Sequence, residues 1–112
     1  MQIQTDNEQG AARFQLGDSL CIFDVAALHE QLLREFPEVT EWQWDLSGIE
    51  ECDSAGLQWL LMIKDWARRE QRTCEFESPS DALMEMIDLY RVHGAMGLTT
   101  VMPADEPASG RR

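Results

Sequence analysis

Between Trp42 and Leu57 the side-chain pattern changes period, and that change limits what the chain can become. Trp42-Gln43-Trp44-Asp45-Leu46 alternates bulky and polar residues, the period-2 pattern of a half-buried strand. It predicts a strand ending near Leu46, broken by Ser47-Gly48. Asp53-Ser54-Ala55-Gly56 stands where a helix should begin. From there Leu57, Leu60, Leu61 and Lys64 recur at helical spacing, with Trp59, Met62, Ile63 and Trp66 filling much of the rest. The expected unit is a buried strand, a short acidic loop and a helix N-terminus that presents one hydroxyl. Ser54 is the first candidate for a functional atom.

The remaining segments extend this unit in both directions. Met1–Asp6 reads as a short strand, Asn7-Glu8-Gln9-Gly10 as a turn and Ala12–Leu16 as a second strand. Gly17-Asp18 interrupts it, and Leu20–Phe23 continues in extended form. Asp24 is a good N-cap for a helix whose inward stripe is Val25, Leu28, Leu32 and Leu33, with Glu30 and Arg34 as an outward i,i+4 pair. Pro37 stops it. The helix opened by Ser54 runs to about Glu70 and ends among Arg68, Arg69 and Arg72, cations that suit its macrodipole. Thr73–Phe76 is a further strand, and Ser78-Pro79-Ser80-Asp81 leads into a third apolar stripe of Leu83, Met84, Met86, Ile87 and Tyr90. Gly94 and Gly97 close that helix, and Leu98–Met102 supplies a last edge strand. Residues 103–112 read as a disordered tail, which leaves residues 1–102 as the folded domain. Strand–helix alternation after two early strands predicts an α/β fold with a mostly parallel sheet joined by right-handed crossovers and helices packed against it.

Composition excludes several function classes. With 112 residues, 44 % of them hydrophobic, the chain can build the core of one domain. A formal charge of −12 opposes binding to nucleic acid, whose phosphates need Lys and Arg to replace their counterions, and to anionic membranes. Basic or mixed-charge protein partners fit better. No apolar run approaches the roughly 20 residues of a membrane span, and Met1–Asp6 lacks the basic start of a signal peptide, so direct membrane insertion is not expected and the chain is expected in the cytoplasm.

Catalytic signals are thin. Cys21, Cys52 and Cys74 are odd in number and have no C-x-x-C spacing, which points to neither disulfides nor zinc. Glu50, Glu51 and Asp53 beside Cys52 raise a thiol pKa instead of lowering it. His29 and His93 lack sequence-local metal partners, no phosphate-binding glycine loop is present, and Asp-Ser-Ala-Gly is not a nucleophile elbow. No catalytic residue, cofactor or metal is assigned, and a non-enzymatic protein is expected.

Ser54 could cap its helix, a role worth about 1 kcal/mol. Asp53 could serve equally well and leave the hydroxyl free. A phosphate on Ser54 would then gain from the free N–H groups of the helix start while adding charge beside Glu50, Glu51 and Asp53. A partner docked there would feel added bulk, desolvation and repulsion. That is a switch for binding.

Asp45-Leu46-Ser47-Gly48 followed by Asp53-Ser54-Ala55-Gly56-Leu57 resembles the signature of the STAS domain (sulfate transporter and anti-sigma-factor antagonist). The resemblance extends over nearly the whole chain, through Gly17-Asp18-Ser19-Leu20 and Ser78-Pro79-Ser80. It implies a mixed sheet with helices on one face and a phosphorylated serine at Ser54, preceded by the acidic Asp53. It further implies an anti-sigma-factor antagonist whose partners are an anti-sigma factor with serine kinase activity and a cognate phosphatase. Other single-domain members act in chemotaxis and response pathways, or as the cytoplasmic subunit of phospholipid-transport ABC systems. The partner surface expected here comprises Glu50, Glu51, Asp53, Ser54, Ala55, Gly56, Leu57 and Trp59, the last because four tryptophans exceed what the family leads one to expect.

Overall fold

The computed structural model describes residues 1–98. Strands β1 (Gln2–Asp6), β2 (Ala11–Leu20), β3 (Glu41–Cys52) and β4 (Thr73–Glu77) form one sheet in the order β1-β2-β3-β4. β1 pairs antiparallel to β2, whereas β2–β3 and β3–β4 are parallel. Helices α1 (Ile22–Arg34), α2 (Ser54–Arg69) and α3 (Asp81–Tyr90) each follow a strand, and a short α4 (His93–Met96) completes the described chain. Because β2, β3 and β4 run the same way, their C-terminal ends lie along one edge of the sheet. The three long helices start there.

Period-2 alternation sets the two faces of the sheet. Ala12, Phe14 and Leu16 on β2, Trp42, Trp44 and Leu46 on β3, and Cys74 and Phe76 on β4 are buried against the helices. Their neighbours Arg13, Gln15, Gln43, Asp45 and Glu75 fall on the opposite, polar face, where Arg13 bonds Glu77 at 3.0 Å. The core is built on aromatic contacts. Phe14 stacks on Trp44 with centroids 4.0 Å apart, and Trp59 meets Trp44 edge-on at 5.9 Å. Each such pair adds about 0.5–1.5 kcal/mol to the area it buries. Trp42 anchors the lower end through its indole N–H, which donates to the Pro37 carbonyl.

Several local expectations need correction. β3 does not stop near Leu46: it continues to Cys52 because β2 also continues, pairing Gly17 with Gly48, Asp18 with Ile49 and Leu20 with Cys52 across two register shifts. A Cβ on Gly48 would lie 2.8 Å from the Leu16 carbonyl, so the glycine permits this extension where a strand break is expected. The acidic loop is therefore strand, and Ser54 follows it after Asp53 alone. α1 is capped by Cys21, not Asp24, and takes in Ile22 and Phe23; Asp24 sits in its first turn and accepts from the Cys21 N–H at 2.9 Å. Leu33 and Tyr90 are half exposed, outside the stripes expected of them, and among the described residues no ion pair joins Glu30 to Arg34. α3 ends at Tyr90, with Arg91 left-handed, and Gly97 closes the separate α4. The edge strand expected at Leu98–Met102 and the tail expected from Pro103 lie outside the described residues, apart from Leu98, which is not in a strand.

Gly56 marks a close approach of α2 to the end of β2. A Cβ there would come within 2.0 Å of the Leu20 carbonyl oxygen and 2.8 Å of Leu20 Cγ. Backbone cannot give way as a side-chain tip does, so Gly56→Ala should destabilise the protein by about 2–3 kcal/mol. That outweighs the roughly 1 kcal/mol of helix propensity that alanine gains. Thermal melting checks this; an unchanged midpoint would contradict the close packing of α2 on β2.

Candidate functional site

The corner between β3 and α2 is assembled by one carboxylate. Asp53 is the N-cap of α2, and its Oδ1 accepts from the Gly56 N–H at 3.0 Å. Its Oδ2 accepts from the N–H of Ile22, the first residue of α1, also at 3.0 Å. Asp53 thus caps two helices that are far apart in sequence. Its own N–H donates to the Leu20 carbonyl, which fastens the corner to the end of β2. These donors, Ile22 first and then Gly56, hold the Asp53 carboxyl below the ordinary carboxylate range against the opposing effect of desolvation. Asp24 is lowered likewise, first by the Ser19 hydroxyl at 2.7 Å and then by the Cys21 N–H. Both carboxylates stay ionised because they complete helix starts.

Ser54 is the first helical residue and is exposed. Asp53 does the capping, and among the described residues no hydrogen bond engages the Ser54 hydroxyl. The expected free N–H groups for a phosphate are corrected in part: Gly56 N–H is already taken by Asp53, and Ala55 also donates toward that carboxylate. A phosphate on Ser54 would point outward beside a fixed negative charge.

The eight residues expected at a partner surface divide by depth. Glu50, Glu51 and Ser54 are exposed, and Asp53 and Ala55 are partly so. Gly56, Leu57 and Trp59 lie beneath them, with Trp59 only 4 % exposed. Trp59 is therefore corrected from surface to core: its indole N–H donates to His29 Nδ1 at 3.2 Å, joining α2 to α1 under the corner. His93 pairs with Asp88 at 2.7 Å, away from this site. Burial, with the Asp53 charge beside it, pushes the Cys52 thiol up to about 11, far from a reactive thiolate. A groove lies at the other end of α2, lined by Lys64, Arg68 and Arg72 among others. Sequence reasoning missed the contributions of Leu20 and Ile22, since both act through backbone atoms; a glycine in the first turn of α2 was the available sign that another chain segment passes close by.

The site is an exposed serine at a strand-to-helix corner of a mixed sheet covered by helices on one face, a geometry that defines an α/β domain of mixed-sheet class. The family described as "Mlab, STAS domain" matches residues 3–101, and the chain belongs to the STAS-domain family. Among solved structures, the one described as "Crystal Structure Analysis of Mglu" is similar in fold, with a TM-score of 0.61 at 14 % identity. The match covers 72 % of this chain and 20 % of that one, so this chain spans about a fifth of its length. No curated protein matches the sequence.

Acid should test the double cap. A group whose folded pKa is lowered adds stability above its unfolded pKa, and the protein loses it as pH falls through the folded value. Asp53 and Asp24 should therefore support the fold fully at neutral pH and progressively less below about pH 4, the ordinary carboxylate range. In urea titrations at pH 7 and pH 3, Asp53→Asn should be less stable than wild type at pH 7 and should lose less on acidification. Equal acid losses in the two proteins would count against the cap.

Proposed function

We propose that this STAS domain is a non-enzymatic bacterial regulatory protein of the anti-sigma-factor antagonist type, acting in the cytoplasm and switching its partner by phosphorylation of Ser54. Its partners are an anti-sigma factor with serine kinase activity and a cognate phosphatase, in a partner-switching pathway that also allows a chemotaxis or response-regulator output. One observation carries this reading: Asp53 caps α2, so the exposed Ser54 hydroxyl does no structural work. Modification there can change binding without unfolding the domain. About two negative charges would join Glu50, Glu51 and Asp53 at the surface, and burying a hydrated phosphate against a partner is costly. Among the described residues no helix is long and apolar enough to cross a membrane.

Membership of the STAS family also supports a second reading, which the resemblance implies: a constitutive cytoplasmic subunit of a phospholipid-transport ABC complex. The two separate on the need for phosphate. In protein taken from its native host under phosphatase inhibition, intact mass and site mapping should find phosphate on Ser54. Ser54→Asp should weaken partner binding, and Ser54→Ala should melt within about 0.5 kcal/mol of wild type because no bond is lost. An ATPase subunit copurifying equally with wild type, Ser54→Ala and Ser54→Asp, and no phosphate under any growth condition, would favour the transport subunit.

A further inference from the structure

The exposed apolar side chains are not scattered evenly. Ile22 is 61 % and Phe23 94 % exposed, on consecutive residues in the first turn of α1. Neither is needed for the core, which α1 reaches through Leu32 and the partly buried Val25 and Leu28. Both are held at the Ser54 corner, because the Ile22 N–H is bonded to Asp53, the residue before Ser54. The surroundings carry one sign of charge. Asp24 follows the pair in the chain and Asp53 holds the Ile22 N–H, while Asp18 and Glu51 lie on the adjacent ends of β2 and β3, with Glu51 beside Ser19 and Cys52 beside Leu20 in the strand register. No lysine or arginine occurs between Arg13 and Arg34 or between Arg34 and Lys64. Lys64, Arg68 and Arg69 instead occupy the far half of α2.

We propose that Ile22 and Phe23 are the hydrophobic anchor of the Ser54 docking surface, and that the partner is a protein with an apolar pocket bordered by lysine and arginine. This rests on the reading that docking occurs at this corner. An aromatic ring on a rigid helix start gives a large contact area with little side-chain entropy to lose, which suits a hot spot. The acidic rim speeds encounter with a basic border, and the anchor then slows dissociation. A second copy of this chain fits poorly, since a symmetric contact would set two acidic rims face to face. An anionic bilayer is repelled by the same rim. A phosphate on Ser54 acts against seating of the ring, because its hydration shell must be stripped as the pocket closes.

The test places the photocrosslinking residue p-benzoylphenylalanine at position 23 in the native host, with position 43 on the open sheet face as control. Irradiated cells should yield an adduct from position 23 and not from 43. The crosslinked partner segment should be apolar and flanked by lysine or arginine. That partner, purified, is then titrated with wild type, Phe23→Ser and Ser54→Asp. Phe23→Ser should bind at least about tenfold more weakly with an unchanged melting temperature, and wild-type association should slow with salt. No adduct from position 23, an adduct joining two copies of this chain, or undiminished binding by Phe23→Ser would overturn the anchor. If Phe23→Ser binds normally while Ser54→Asp does not, the serine switch stands and only the anchor fails. If Phe23→Ser is weak while Ser54→Asp binds as wild type or tighter, the anchor stands and the switch falls.

Discussion

The Asp53 carboxylate is the interaction on which the functional end of this molecule depends. It accepts from the first N–H of α1 and from a first-turn N–H of α2, so two helices from different crossovers share one counter-charge. A neutral cap could satisfy one helix start; an ionised carboxylate with two oxygens satisfies both and opposes both dipoles. Ser54 is left exposed as a result, and Ile22 and Phe23 are brought beside it. Gly56 completes the arrangement by letting α2 lie against the Leu20 backbone, an approach that a single methyl group would block.

Beneath the corner, the aromatic core provides rigidity. Trp44 is held between Phe14, stacked on it, and Trp59, edge-on to it, and Trp59 in turn bonds His29 on α1. The tryptophans that looked surplus in the sequence are thus mainly structural, and they tie the two capped helices to the sheet. A docking surface gains from this. A side chain displayed on fixed elements loses little freedom on binding, so more of its contact energy appears as affinity.

Much of this was legible in the residues, and the failures have a common cause. Trp42 to Leu46 announced a strand by alternation, Leu57 to Ile63 announced a helix by spacing, and D-S-x-G-L announced the family that residues 3–101 match. Errors fell where tertiary pairing overrides local preference. Ser47-Gly48 looks like a break but lies in a strand, because β2 offers a partner to pair with. Ile22 and Phe23 look like strand residues but open a helix, because Asp53, from another part of the chain, supplies the acceptor for the Ile22 N–H.

The sequence by itself determined the order of elements as far as α3, the apolar face of the sheet, the family and the position of the serine. These follow from periodicity, turn chemistry and motif, which act over a few neighbouring residues. Only the tertiary structure decided that Trp59 is a buried strut, that one aspartate caps two helices, and that an apolar pair stands beside Ser54 within an acidic rim. Those facts depend on contacts between residues about 30 positions apart, such as Ile22 with Asp53 and His29 with Trp59. Local pattern carries no record of them, since backbone donors and depth of burial are set by which segments meet in space.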